Sequence, residues 1–439
     1  MKTVGFVATV GRVAAETPTD RNRVVDALRA GSILVVVFGH WLMAAITVEN
    51  GQLKPGHLLG LADWTHPLTW VLQVMPIFFF VGGYANALSW RSARRREVGY
   101  GGWLRSRLRR LAIPVVPVLL FWTAFGWLAL RLGLDWEVLQ LASQVALVPT
   151  WFLAAYVVIV TIAPPLLALW DRIGLWSIVL GFALAGLCDL LSIAGDIIPV
   201  GFLNYVFVWG TVHQLGYAWL DGKLDGISRR VEMVLVGFLA TLSLVWAGPY
   251  PVAMVGLDTA EVTNSYPPRV TLAFLGLFQV GLVLVLEGPL RRWLNRPRAW
   301  QLVVGVNFQI MTLYLWHLTA MVLVIGLSLA VGGFGLGIEP LWTAWWLTRP
   351  IWFAVLGVVT IGLIAIFGKF ERPASDPRPS PPAWRPVLAV VSICAGLGLL
   401  AAIGIADDDG LNGLVLSLPV IGVLLGGVVR MPGRAATAG

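Results

Sequence analysis

Charge and cysteine are both scarce in this 439-residue chain: Asp, Glu, Lys and Arg together make up 12%, and there are two cysteines. Two thiols exclude a disulfide framework. Cys188 and Cys394 each lie in an apolar stretch, without the spacing of a metal site, so no metal or prosthetic group is expected. So little charge also excludes a soluble protein, which at this length needs far more polar surface. No polar stretch is long enough to fold alone; the longest, near 48–68 and 249–269, are punctuated by proline and glycine. The two halves show no internal repeat and no matched pair of Gly/Pro-broken spans.

What the chain has is apolar sequence, 58% of its residues, with a mean hydropathy of +0.81. Stretches long enough to cross a bilayer fall at about 27–47, 69–90, 111–133, 146–169, 174–194, 199–220, 231–250, 270–288, 302–330, 351–368, 386–405 and 411–429. These twelve spans predict an all-α, polytopic transmembrane helical bundle. With the N-terminus inside, 27 of the 31 Lys and Arg fall on the cytoplasmic side, and Lys54, Arg131, Arg269 and Arg349 on the other. That asymmetry explains the net charge of +8 without a nucleic-acid partner. Trp41, Trp64, Trp70, Trp90, Trp345 and Trp346 crowd towards span ends, as an interfacial belt requires.

The expected organisation is a disordered cytoplasmic tail at 1–24, a ten-span body at 25–370 and a proline-rich cytoplasmic linker at 371–386. An accessory two-span hairpin at 387–430 and a cytoplasmic tail at 431–439 follow. Val4–Val10 is too short for the core of a cleaved signal peptide. Both termini are thus expected in the cytoplasm.

Polar residues inside the spans are costly and few. Arg29 and His40 are eleven residues apart in the first span, which on a helix is three turns plus about 20° and roughly 16 Å of rise. They share a face, an anion grip at one depth and a proton-handling group at another. Arg23 and Asp26 precede them, where an orientation anchor and a helix-dipole partner are the plainer roles. His317 enters the ninth span to a depth matching that of His40, so the two could face one cavity. His213 in the sixth span reads equally well as an interhelical hydrogen bonder or a ligand contact. Arg107 and Arg110 belong to a basic loop, Arg91–Arg110, suited either to lipid headgroups or to a phosphate-rich cytoplasmic ligand.

Arg23-x-x-Asp26-x-Leu28-Arg29-Ala30 leading to His40 resembles the first-span signature of the acyltransferase-3 family of bacterial membrane O-acyltransferases. Phe78-Phe79-Phe80-Val81-Gly82-Gly83, Arg107-Leu-Arg-Arg-Leu-Ala-Ile-Pro114, Thr312-Leu-Tyr-Leu-Trp-His317 and Pro149-Thr-Trp151-Phe152-Leu153 are similar to its other landmarks. The likeness covers about residues 20–370, and the two further C-terminal spans depart from it. It implies a multi-pass enzyme of the bacterial cell membrane. Such an enzyme moves a short acyl group from cytoplasmic acyl-CoA to a hydroxyl of an extracytoplasmic glycan, glycolipid or secondary metabolite. Arg29, with Arg23, Arg107 and Arg110, would then hold the CoA phosphates. His40 and His317 would be catalytic, His40 as general base or transient acyl carrier, with Asp26, Tyr314, His213 and Trp151 in support. The alternatives are a glycolipid transporter or flippase with an intramembrane histidine proton relay, and a non-catalytic subunit.

Overall fold

The computed structural model describes residues 3–49, 52–256, 262–371 and 378–428. All twelve apolar stretches are helical. Helices α1 (Thr3–Ala15) and α2 (Arg23–Met43) open the chain, and a short hairpin, β1 (Thr47–Glu49) with β2 (Gln52–Lys54), follows them. Then come α3 (Leu58–Leu61), α4 (Thr69–Leu72), α5 (Met75–Arg95), α6 (Tyr100–Ala112), α7 (Val115–Arg131), α8 (Trp136–Leu147) and α9 (Pro149–Ile173). Helix α10 (Trp176–Asp189) runs on into a π-helical turn, Leu190–Ala194. The middle of the chain holds α11 (Ile198–Gly201), α12 (Asn204–Leu220), α13 (Ile227–Ala247), α14 (Val270–Val285), α15 (Glu287–Leu294) and α16 (Pro297–Phe308). The last helices are α17 (Ile310–Ala330), α18 (Thr343–Phe367), α19 (Trp384–Ile403) and α20 (Gly413–Leu425), with a two-residue pairing of β3 (Ala406–Asp407) and β4 (Gly410–Leu411) between α19 and α20.

Helix length gives a lower count than the twelve apolar stretches. Among the described residues, eight helices are long and apolar enough to cross a membrane, and ten if each of two bent pairs is one span. The bent pairs are α6 with α7, at 42°, and α14 with α15, at 54°. The two stretches that fall short are α12, at 17 residues, and α20, at 13. Hydropathy counts an apolar run through its turn residues, whereas a helix ends where its caps are. Asn412, for instance, accepts from the Val415 N–H and starts α20 late.

Within the expected disordered tail, Thr3–Ala15 is helical. Helix α1 packs along α16: Phe6 meets Phe308 edge-on at 5.8 Å, and the Trp300 indole N–H donates to Thr17 Oγ1 at 3.0 Å. The apolar Val4–Val10 stretch therefore has a partner far away in sequence, which a local reading cannot supply. Of the expected linker, residues 372–377 lie outside the described part, as does the tail at 431–439.

The chain divides into two compact units. The first comprises residues 1–89, 162–310 and 324–358; the second comprises 90–161, 311–323 and 359–439. Within the first, helices meet where glycine lets them, because lipid tails give apolar side chains no reason to leave them. A Cβ on Gly83 of α5 would stand 1.9 Å from the His213 carbonyl oxygen of α12, and one on Gly216 would stand 2.2 Å from the Phe80 carbonyl oxygen. Around this contact Phe79 stacks on Trp209 at 4.6 Å, and Phe80 on Trp219 at 5.0 Å.

Within the second unit the terminal hairpin is built in. Thr150 Oγ1 of α9 donates to the Leu397 carbonyl of α19 at 2.8 Å, and Gln144 of α8 to the Ala402 carbonyl at 2.9 Å. A Cβ on Gly396 would reach Pro419 of α20 at 2.4 Å.

The Gly83 contact is testable. The substitution Gly83→Ala drives a methyl group into backbone and should cost about 1–3 kcal/mol. Gly362→Ala, whose Cβ meets nothing within 4 Å, should leave the unfolding midpoint in detergent unchanged or raise it. Equal midpoints for the two variants would refute the close packing.

Candidate functional site

In the first unit, Asn22 caps α2 by accepting from the Val24 N–H, and the helix then runs unbroken to Met43. Arg29 and His40 are therefore on one continuous helix with the expected three-turn spacing. Asp26 stands one turn inside and is 5% exposed. Its Oδ2 accepts from Arg21 Nε at 2.6 Å, and its Oδ1 from Arg21 NH2 at 3.0 Å and Arg29 NH2 at 3.2 Å. The hydrogen bond to Asp26 raises the pKa of Arg21 above its ordinary value, against the opposing effect of burial.

Arg29 is held from a second side. Its Nε donates to Asn307 Oδ1 of α16 at 2.7 Å, while Asn307 Nδ2 donates to the Asp26 and Val303 carbonyls, each at 2.9 Å. Asn307 thus fixes the guanidinium and staples α2 to α16. Arg23 turns elsewhere: it lies 5.0 Å from the Trp300 ring and donates to the Leu294 carbonyl at 3.1 Å. An apolar cavity of about 390 Å³ opens along the same stretch of α2, lined among others by Ala27, Gly31, Phe278, Trp293 and Leu302.

His40 is partly buried in the last turn of α2, where its carbonyl accepts the capping N–H of Ala44 at 3.2 Å. His213 is fully buried. Its Nε2 accepts from Asn86 Nδ2 of α5 at 3.1 Å, and its ring stands edge-on to Tyr217. This is the interhelical hydrogen bond that one of the two readings of His213 expects.

His317 and Tyr314, on α17, belong to the second unit, as do Arg107, Arg110 and Trp151. His317 is fully buried, and its Nδ1 is 2.6 Å from the Tyr314 carbonyl oxygen. A carbonyl only accepts, so Nδ1 carries the proton and the lone pair of the neutral ring stands on Nε2. The Tyr314 hydroxyl donates to the Pro149 carbonyl at 2.9 Å and the ring meets Phe152 at 5.7 Å, which fastens α17 to the start of α9 beside Trp151. Arg107 lies 5.7 Å from the Trp103 ring. Arg110 is exposed and close enough to Glu371 to act on it electrostatically.

Glu371 was not foreseen as a site residue. Its carboxylate accepts from the Met311 N–H, the Thr312 N–H and Thr312 Oγ1, at 2.9, 2.9 and 2.8 Å. It serves as the N-terminal cap of α17 from a segment some sixty residues away, five residues before His317. Its one sequence signal is a lone acid after a long apolar span. Asp189 and Arg269 were also missed. In the first unit Asp189 accepts from Asn204, Tyr250, Arg269 and the Val270 N–H. Burial raises the Tyr250 pKa, and the Asp189 charge raises it further. One trio of acids among the described residues, Asp407–Asp409, brings ligand atoms within 4.8 Å of one another. Asp407 there accepts from the Asp409 N–H and from Asn412 within the turn.

A protein-family model described as an acyltransferase domain, Acyl_transf_3, matches residues 22–369, most of the chain. Searches of curated proteins and of solved structures give no match.

The cap makes its own prediction. Glu371→Ala should speed hydrogen exchange at the Met311 and Thr312 amides by roughly tenfold or more, since hydrogen bonds to a charged group are worth about 1.5–3 kcal/mol. Unchanged exchange at those two amides would show that Glu371 does not hold the start of α17.

Proposed function

The chain belongs to the acyltransferase-3 family and is an acyltransferase; on that footing we propose that it transfers a short acyl group from cytoplasmic acyl-CoA to a hydroxyl on the opposite side of the membrane. The acceptor would be a glycan, a glycolipid or a secondary metabolite. The observation that carries this reading is α2 itself, an unbroken apolar helix with Arg29 fixed near one end and His40 three turns further on. Coenzyme A has its phosphates at one end and its thioester at the other. Arg29 would meet the phosphates and His40 the thioester, roughly 16 Å deeper.

The roles of the side chains follow from their chemistry. Arg makes charge-assisted, bidentate contacts to phosphate, and Asn307 and Asp26 keep the Arg29 fork from swinging. Arg23, Arg107 and Arg110 supply further positive charge on the cytoplasmic side under the expected topology. Transfer breaks the thioester C–S bond and forms a C–O bond to the acceptor. The hydroxyl proton passes to an imidazole nitrogen and from there to the departing thiolate of CoA. His317 is prepared for this, with Nδ1–H tied to the Tyr314 carbonyl and its lone pair on Nε2. His40, in the first unit, offers the other candidate nitrogen, as the base or as the group that takes the acyl first in a two-step transfer.

Purified protein with radiolabelled acetyl-CoA and cell-envelope acceptor tests the reading. His40→Ala and His317→Ala should each lower acyl transfer by roughly 10²–10⁴-fold, the usual worth of a general base. Arg29→Gln should raise the KM for acetyl-CoA by roughly ten- to a hundredfold with a smaller effect on kcat, as losing one bond to a charged group implies. Label retained on the wild-type protein without acceptor, and lost in His40→Ala, would mark the two-step route. Undiminished transfer by His40→Ala would overturn the assignment, and substrate movement without CoA release would replace it with transport.

A further inference from the structure

Arg349 lies about 9 Å along α18 from its start at Thr343, at about 1.5 Å per residue, inside a helix apolar enough to span a membrane. None of the ion pairs among the described residues includes it. An arginine near the end of an apolar helix, without a carboxylate partner among the described residues, needs a reason. Its surroundings differ from those of a side chain that merely reaches out to water. Arg349 is half-buried, its guanidinium carbon lies 4.1 Å from the centre of the Trp345 ring and 5.5 Å from that of Trp352, and its Nε donates back to the Trp345 carbonyl at 3.3 Å. The three residues, at i, i+4 and i+7, form one stripe of the helix.

Both tryptophans are fixed. Trp345 is 1% exposed and packs against Leu58 and Ala62. The Trp352 indole N–H donates to the Trp41 carbonyl on α2 at 3.0 Å. Both rings lie within cation–π reach of the guanidinium and Nε is spent on the Trp345 carbonyl, while the fork of terminal N–H groups suits an oxyanion. We propose that Arg349, stacked between Trp345 and Trp352, is a binding site for a phosphate group, on the side of the membrane opposite the arginine-rich loops under the expected topology. That phosphate belongs either to a membrane lipid headgroup or to a soluble phosphorylated molecule. Reading the occupant as the acyl acceptor rests on the transfer function proposed above; the site itself does not.

Native mass spectrometry of the full-length protein in detergent tests the site, with phosphatidylglycerol and phosphatidylcholine as probes. Wild type should retain phosphatidylglycerol in preference to phosphatidylcholine, and Arg349→Gln should lower its apparent affinity for phosphatidylglycerol tenfold or more. Arg349→Lys keeps the charge but loses the stacked fork, so it should lose most of that affinity while folding as wild type. Displacement of phosphatidylglycerol by millimolar glycerol 3-phosphate would support a site satisfied by phosphate alone. Resistance to it would support a site that takes the phosphate on a lipid. Equal phosphatidylglycerol retention by wild type and either Arg349 variant overturns the proposal. His40→Ala separates this result from the catalytic reading: it should retain phosphatidylglycerol like wild type whatever it does to transfer.

Discussion

A bilayer core offers no water to polar groups, so a charge or amide placed within the apolar helices is costly unless another group of the same protein answers it. In this chain that constraint selects which helices meet and which side chains are held still. Asp26 shows how far one such demand reaches. Its carboxylate takes two bonds from Arg21 and one from Arg29, while Asn307 bonds both to Arg29 and to the backbone of Asp26. Removing any one of these groups would leave the others partly unanswered, which costs more than the single bond is worth. The first turn of α2, the last turn of α16 and the orientation of Arg29 are therefore settled together.

The same logic fixes the second histidine helix. The first N–H groups of α17 have no intrahelical acceptor, and Glu371 answers two of them while binding the Thr312 hydroxyl as well. Two turns on, the Tyr314 carbonyl takes the His317 Nδ1–H, and the Tyr314 hydroxyl is spent on the Pro149 carbonyl. The tautomer of His317 is thus a consequence of helix anchoring. A residue that reads as the beginning of a linker turns out to hold the start of the helix that bears His317.

This explains what the sequence could and could not disclose. Composition and apolar runs revealed the all-α membrane architecture, because a span writes its signature locally. The Arg29–His40 spacing was legible for the same reason, as was the resemblance to the acyltransferase-3 family. Partners distant in sequence, from about sixty residues to nearly three hundred, left no local trace: Asn307 reads as one more amide near a span, Asn86 as a polar interruption, Glu371 as a linker residue. The apolar stretch in α1 was unreadable because the surface it packs against is α16, almost three hundred residues later. At α12 and α20 the apolar run outlasts the helix, which a hydropathy reading does not see.

Arg29 and Arg349 lie in two different helices and show two ways of keeping an arginine among apolar side chains. Arg29 is answered by a carboxylate and an amide, which offset its charge and fix its direction. Arg349 is answered by aromatic rings, and no ion pair among the described residues includes it. An arginine of the first kind is positioned but partly neutralised. One of the second kind keeps its full attraction for a single oxyanion and is selective through geometry. The link between them is mechanical. Trp352, one wall around Arg349, donates to the carbonyl of Trp41, the residue after His40 on the helix that begins at Arg29, so an anion seated against Arg349 would press on the end of α2 that bears the proposed catalytic imidazole.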